Sequence, residues 1–135
     1  MTNTFSKKER LTHKKQIEDL YLKGHSFFIY PLLIHWKISS EENLDRTPYA
    51  KVLIGASKKK LAKANQRNRV KRLIRESFRL NKKNLNKELE SLNKHIFLSI
   101  IYTSNTVHNY QEVEDKILQV FLRLTNSLKS AEDEK

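Results

Sequence analysis

A stretch of 27 residues, 57–83, carries nearly all of the net charge of this chain. Twelve Lys or Arg residues in it accompany a single acid, Glu76, which gives +11 of the protein's total of +12. The other 108 residues hold 15 basic and 14 acidic side chains and are close to neutral. Because the charge is concentrated in one place and not spread over the surface, it indicates a polyanionic partner.

The same stretch has the spacing of a helix with two different faces. At roughly 100° per residue, one side gathers Val70, Leu73, Ile74, Phe78 and Leu80. The opposite side gathers Asn68, Lys71, Arg72, Arg75, Arg79 and Lys82. The alternative is an ordinary solvated surface helix, but such helices mix charge signs for i,i+4 pairing. The pattern favours a helix that packs through its apolar side and presents cations to a nucleic-acid backbone.

Length and composition limit the remaining possibilities. A chain of 135 residues, 38% of them hydrophobic, is expected to form one domain with a modest core. It has no cysteine, so disulfides and cysteine-ligated metal sites are excluded, and a reducing cytoplasm is the expected location. No apolar run has the length of a signal peptide or approaches the ~20 residues of a membrane span, so no membrane partner is expected.

The chain divides into three predicted segments. Residues 1–11 are polar and basic and are expected to form a flexible arm, in which Ser6 and Glu9 have the spacing of a capping box. Residues 12–130 are expected to be a single nucleic-acid-binding domain. Residues 131–135 are polar and are predicted to be a disordered tail.

Within the domain, periodicity predicts the order helix, strand, strand, basic helix, strand, helix. The predicted ranges are 12–23, 26–38, 50–57, the basic helix, 95–103 and 110–128, with a loop expected at 81–93. In the first strand, the predicted core row is Phe28, Tyr30, Leu32, Ile34, Trp36 and Ile38. Pro31 cannot donate a ladder hydrogen bond, so regular pairing is expected from Leu32, or the strand lies at an edge. Helices on one face of a small mixed sheet give an α+β fold.

The other face of the predicted sheet carries a mixture of apolar, imidazole and basic groups. By strand alternation its members are Leu33, His35, Lys37, Leu53, Gly55 and Ser57. An open face of this kind suits an extended single-stranded nucleic acid. The alternative is that the first or the last helix covers it.

One run in the basic stretch resembles a known signature. Leu61-x-x-Ala64-x-x-Arg67-Asn68-Arg69-Val70-Lys71-Arg72-x-Ile74-Arg75, preceded by a strand that ends in Ser57-Lys58-Lys59, is similar to the protein subunit of bacterial ribonuclease P. The element order and the length agree over nearly the whole chain. The resemblance implies a ribosomal-protein-like α/β sandwich with a left-handed β-α-β crossover, although the right hand is the usual one.

The resemblance also implies a function. Members of that family bind a catalytic RNA and the 5′ leader of precursor tRNA, and the holoenzyme removes the leader by Mg²⁺-dependent endonucleolytic cleavage. The chemistry belongs to the RNA, which chiefly holds the Mg²⁺, so the resemblance implies neither catalytic residues nor metal ligands in the protein.

Matching positions carry the implied roles. Binding to the RNA subunit falls on Lys58, Lys59, Arg67, Asn68, Arg69, Lys71, Arg72 and Arg75, and the cationic side of the helix adds Arg79. The leader-binding cleft falls on Ile17, Tyr21, Leu33, His35, Gly55 and Ser57. Between Ser57 and Arg67 the chain is one residue longer than the family pattern and lacks its usual Gly.

Three other classes of protein have a similar composition and are alternatives to this interpretation. A structural RNA-binding protein of ribosomal type accounts for the basic helix but not for the signature or the second face. A protein-only metal nuclease is not favoured, because the carboxylates and histidines do not form ligand pairs within the predicted elements. A DNA-binding helix-turn-helix would need a helix just before Arg67, where a strand is predicted.

Overall fold

The computed structural model describes residues 5–39 and 48–133. A short 3₁₀ helix at Lys7–Glu9 precedes helix α1. The other elements are α1 (Lys14–Lys23), β1 (His25–Ile29), β2 (Leu32–Ile38), β3 (Ala50–Ala56), α2 (Ala64–Leu92), β4 (Ile96–Tyr102) and α3 (Tyr110–Asp133). The predicted order is confirmed, with one predicted strand divided in two.

The four strands form one mixed sheet in the order β1-β2-β4-β3. Strands β1 and β2 are antiparallel, as are β2 and β4, whereas β3 and β4 are parallel. A parallel pair needs a crossover connection, and α2 provides it. The α+β fold is therefore confirmed. The left hand of the β3-α2-β4 crossover stays a prediction from the resemblance.

The main core lies between the sheet and the two long helices. The sheet contributes Leu32, Ile34, Trp36, Val52, Leu98, Ile100 and Tyr102, and the helices contribute Val70, Ile74, Phe78, Val113, Ile117, Val120 and Leu124, all buried. The rings of Phe78 and Phe121 meet edge to face at 5.8 Å. Alternate residues of each strand thus face the helices, and the other set is left for the opposite face.

The prediction for residues 26–38 was wrong in one respect. The chain reverses at Tyr30 and Pro31, so β1 and β2 form a hairpin in which Phe27 lies opposite Ile34. The reversal changes which residues of β1 face the core: Phe27 is buried, while Phe28 and Tyr30 are 50% and 51% exposed. The predicted core residues on β2 are correct, because they follow the turn.

The loop predicted at 81–93 is also wrong, since α2 continues through it to Leu92. The helix has 29 residues and is therefore about 43 Å long. The polar composition of this segment hides Leu85 and Leu89, which are buried at i,i+4 spacing and extend the apolar side of the helix. Asn93 ends the helix in the left-handed conformation, with φ 54°.

Two residues of the basic helix lie on the side opposite to their predicted one. Leu80 is 44% exposed, whereas Lys82 is 8% exposed. The Lys82 ammonium lies 2.8 and 2.9 Å from the two carboxylate oxygens of Glu9. A buried ammonium needs a paired charge, and the helical pattern alone does not show a partner 73 positions away.

Residues 5–11 of the predicted arm lie against the domain. The rings of Phe5 and Phe78 meet at 5.6 Å, and buried Leu11 donates its backbone N–H to the Val52 carbonyl at 2.9 Å. Glu9 accepts a hydrogen bond from the Ser6 backbone N–H at 3.0 Å, and the predicted capping box is present. Residues 1–4 of the arm and 134–135 of the predicted tail lie outside the described residues, while α3 reaches Asp133.

Helix α1 packs on the opposite face of the sheet. Leu11, Leu20 and Phe97 form a second, smaller core cluster with Ile17 and Leu53 packed against it. An ion pair of 2.9 Å joins Asp19 of α1 to Lys37 of β2. The first helix therefore covers one part of this face and leaves the part around Leu33, Gly55 and Ile101 partly exposed.

Candidate nucleic-acid interface

The uncovered part of the sheet forms a cleft beside α1. Strand register places Leu33 opposite Ile101, and Ile101 opposite Gly55. The next row places His35 opposite Ser99, and Ser99 opposite Leu53. Because paired residues of neighbouring strands point to the same face, these rows form the floor of the cleft.

Tyr21 forms the wall of the cleft on α1. Its hydroxyl shares a hydrogen bond of 2.7 Å with the hydroxyl of Ser99, which is fully buried. Its ring meets the His35 imidazole edge to face at 4.7 Å. The Tyr21 side chain is nevertheless 40% exposed. The ring is therefore held in position and still presents surface to a ligand.

His35 is a neutral group of the cleft floor at neutral pH. Burial lowers the pKa of its imidazole below the usual value. Its Nδ1 atom is buried and has no hydrogen-bond partner among the described residues. His35 thus contributes a half-buried aromatic surface and not a cation.

The remaining predicted cleft residues surround the same floor. Leu33 and Gly55 are half-buried in the row described above. Ile17 lies on α1, one turn before Tyr21, and packs against the same small core cluster as Leu53. Ser57 follows the end of β3 and donates its backbone N–H to the Tyr102 carbonyl at 2.8 Å. The structure thus brings all six predicted cleft residues to one side of the molecule.

The basic turn, Lys58–Lys60, leaves the cleft directly after Ser57. All three lysines are exposed. The Ser57 hydroxyl accepts a hydrogen bond from the Lys60 backbone N–H at 3.3 Å, and the Ser57 carbonyl accepts one from the Leu61 N–H at 2.9 Å. The turn therefore has a defined path although the chain lacks the glycine that the family pattern places there.

Arg67 fixes the other end of this turn. Its Nη1 atom donates to the Leu61 carbonyl at 2.9 Å and to the Ala62 carbonyl at 2.8 Å. The guanidinium has five N–H donors, so these contacts leave donors for a phosphate. These contacts give Arg67 a structural role, and its contact with the RNA subunit stays a prediction.

The first turns of α2 carry the rest of the predicted RNA-subunit surface. Four of its side chains are exposed, namely Asn68, Arg69, Arg72 and Arg75, and Lys71 is half-buried. Arg79 forms an ion pair with Glu76, one turn earlier. We use the name basic surface for Lys58–Lys60 together with Arg67, Asn68, Arg69, Lys71, Arg72, Arg75 and Arg79.

The cleft and the basic surface meet at Ser57. The backbone of Ser57 continues the sheet beside β4, while its side chain holds the basic turn. A single polyanionic strand lying in the cleft would therefore leave it next to a row of cations. Aromatic and apolar groups in the floor, with cations at the rim, are the usual elements of single-stranded nucleic-acid sites.

Comparisons with known proteins identify the family of the chain. The family model described as Ribonuclease P matches residues 5–125. The chain belongs to the ribonuclease P protein family. Membership confirms the function expected from the signature, that of the protein component of a tRNA-processing ribonuclease with an RNA partner.

Two curated relatives show how much of the chain the ribonuclease P likeness covers. The ribonuclease P protein component of Porphyromonas gingivalis is 32% identical over 126 residues, which are 93% of this chain and 90% of the relative. That of Clostridium acetobutylicum is 34% identical over 117 residues, 85% of this chain and 87% of the relative.

Solved structures show the same fold. The RNase P protein from Thermotoga maritima has a TM-score of 0.64 at 22% identity and covers 85% of this chain and 96% of its own. The Staphylococcus aureus RNase P protein has a TM-score of 0.61 at 22% identity, with 86% and 94% covered. The ribonuclease P fold is thus present over nearly the whole chain.

Two residues of the candidate interface are not predicted by the sequence patterns. Ser99 is the one polar residue in the apolar run 96–101, and that isolated hydroxyl was the available signal. Strand alternation continued through Pro31 predicts Phe28 on the core side, but the chain reverses at that point. The structure places Phe28 on the cleft side of β1, opposite Leu33.

Neither a cluster of metal-ligand side chains nor a membrane-spanning helix is found among the described residues. Within 5–39 and 48–133, no three His, Cys, Asp or Glu side chains are grouped as metal ligands. No helix in those ranges has the length and apolar content needed to cross a bilayer.

Proposed function

We propose that this ribonuclease P protein binds the catalytic RNA subunit through its basic surface and the 5′ leader of precursor tRNA through its cleft. The observation that supports the proposal is the junction at Ser57, where the cleft floor continues into the basic turn. Two RNA segments bound on either side of this junction are held close together. The complex would remove the leader and leave the mature 5′ end of the tRNA.

The basic surface supplies position and affinity. Its exposed guanidinium and ammonium groups neutralise phosphates without reading sequence. Arg67 holds the end of the basic turn through its contacts with Leu61 and Ala62, and Lys58 and Lys59 in that turn are exposed. The apolar side of α2 meanwhile keeps the helix packed on the core.

The cleft supplies recognition of an unpaired strand. Bases of a single strand stack on exposed aromatic rings, and Tyr21 offers such a ring above a floor of Leu33, His35 and Gly55. Mature tRNA has no leader to place there. The protein is therefore expected to favour the precursor over the product.

Cleavage itself is assigned to the RNA subunit in this proposal. The residues of this chain bind the two RNA segments and orient them. In the described part of the chain, no three His, Cys, Asp or Glu side chains are grouped to hold Mg²⁺. Mg²⁺ bound chiefly by the RNA would supply the activated water that attacks the phosphodiester. The complex is proposed to act in the cytoplasm, which the cysteine-free composition also favours.

Reconstitution with a bacterial ribonuclease P RNA tests the proposal. Cleavage of precursor tRNA at low Mg²⁺ is measured with and without the protein, and the 5′ end of the product is mapped. Protein-dependent cleavage at the mature 5′ end is expected. Binding to the RNA with no stimulation at any protein concentration would contradict the proposal and favour a structural RNA-binding protein.

A further inference from the structure

Phe28 extends the cleft floor onto the edge strand β1. It lies opposite Leu33 in the β1-β2 hairpin, and Leu33 belongs to the row that continues through Ile101 to Gly55. Four side-chain positions, one from each strand, therefore form a continuous row across the sheet. Phe28 is its outermost member and is 50% exposed.

Tyr30 supports Phe28 from the hairpin turn. The two rings lie 6.1 Å apart with an interplanar angle of 71°. The Tyr30 hydroxyl shares a hydrogen bond of 2.6 Å with the buried Ser104 hydroxyl, and the His108 ring meets the Tyr30 ring edge to face at 5.7 Å. The hydroxyl and the ring of Tyr30 are therefore both held in place, while half of the residue's surface stays exposed.

The fold does not need the Phe28 ring for its core. The neighbouring Phe27 fills that position: it is 8% exposed, and the Arg123 guanidinium lies over its ring at 4.5 Å. Large apolar side chains that are exposed together usually mark a binding site. In a basic protein, a pair of exposed aromatic rings at the end of a cleft offers the kind of surface on which flat, unpaired bases stack.

We infer that Phe28, held in place by Tyr30, is a further stacking position for a base of the 5′ leader. Neighbouring strands are about 4.8 Å apart, so Phe28 lies roughly 14 Å from Gly55, three strands away. The base at Phe28 would belong to a leader nucleotide farther from the cleavage site than those at Tyr21 and Gly55. The inference rests on the proposed function, since it extends the same leader path.

Leader length provides the test. The affinity of the reconstituted holoenzyme is measured for precursor tRNAs whose leaders increase by one nucleotide at a time, with wild-type protein and with Phe28→Ala. Short leaders should bind both proteins equally. Beyond a threshold length, Phe28→Ala should weaken binding roughly fivefold or more, the usual loss of one base stack. Phe28→Trp should restore the affinity, because it keeps an aromatic face.

The control is Leu122→Ala, which removes a 64% exposed apolar side chain from α3. This variant should match the wild type at every leader length. Equal binding of Phe28→Ala and wild type at all lengths, with Tyr21→Ala still impaired, would overturn the inference and leave the proposed function intact. A loss that is the same for every leader and for mature tRNA would also overturn it, since Phe28 would then contact the RNA subunit. No effect of the protein on precursor binding at all would instead refute the proposed function.

Discussion

The hydroxyl of Tyr21 lies 2.7 Å from the hydroxyl of Ser99, 78 positions later in the chain. This hydrogen bond joins α1 to β4, the strand that pairs with both β2 and β3. It sets the height of the Tyr21 ring above the cleft floor, where the ring also meets His35. The width of the cleft therefore depends on a contact between two small polar groups.

Tyr21→Phe and Tyr21→Ala should have different effects because they remove different parts of this contact. Tyr21→Phe leaves the ring but deprives the buried Ser99 hydroxyl of its partner, which should lower the free energy of unfolding by about 1 kcal/mol. Tyr21→Ala also removes the stacking surface and should weaken precursor binding by about 1–3 kcal/mol. Chemical denaturation and binding isotherms with precursor and mature tRNA measure the two effects. Leu22→Ala, at an 83% exposed neighbouring position, is the matched control. An equal loss of precursor affinity in Tyr21→Phe and Tyr21→Ala would refute the role of the ring.

Gly55→Ala should raise the cleft floor. A Cβ atom at this position would lie 2.9 Å from Cδ1 of Ile101, so the flexible end of that side chain must move. Overpacking at this half-open site should cost about 1 kcal/mol of stability, the lower end of the usual range, and should reduce the preference for precursor over mature tRNA. The double variant Gly55→Ala, Ile101→Val removes the clashing methyl and should recover both properties. Unchanged precursor binding in the single variant would place the leader elsewhere.

Arg67→Lys should loosen the basic turn although it keeps the charge. The lysine side chain is one atom shorter and lacks the planar guanidinium, so its ammonium does not occupy the position from which Nη1 donates to the carbonyls of Leu61 and Ala62. The variant should be less stable by about 1–2 kcal/mol, and the backbone amides of Lys60 and Leu61 should exchange faster with solvent. Arg69→Lys, at an exposed position two residues later, should show neither change. Similar amide protection in both variants would contradict the structural role of Arg67.

Binding to the RNA subunit should depend steeply on salt. If six to eight cations of the basic surface contact phosphates, the affinity should fall by roughly three to five orders of magnitude between about 50 and 200 mM salt. Arg72→Gln should reduce the slope of log affinity against log salt by roughly one. Lys129→Gln, on α3 beside Glu88, should leave the slope unchanged. A flat salt response of the wild type would exclude phosphate neutralisation as the main source of affinity.

Local patterns were sufficient to predict most of the interface. Helical spacing placed Arg72 and Arg75 on the exposed side of α2, and strand alternation placed Leu33, His35 and Gly55 on one face of the sheet. Both inferences need only the residues of a single element. The roles proposed for these surfaces come from the resemblance to the ribonuclease P signature.

Contacts between distant segments account for what was missed. The partner of Lys82 is Glu9 in the first turn of the chain, and the partner of Tyr21 is Ser99, so neither contact is visible in a local pattern. The sides of Phe27 and Phe28 depend on where the hairpin reverses, and Pro31 gave only a general signal of irregularity. The length of α2 depends on Leu85 and Leu89 packing on the core, which outweighs the polar residues around them.

The most direct test of the account compares the affinities of the RNA subunit for precursor and mature tRNA, with and without this protein, at one fixed salt and Mg²⁺ concentration. The protein is expected to increase the preference for precursor tRNA. Tyr21→Ala is expected to remove most of this increase while the protein stays bound to the RNA subunit. An unchanged preference, with the protein fully bound, would contradict the account, since the basic surface would then act without a leader-binding cleft.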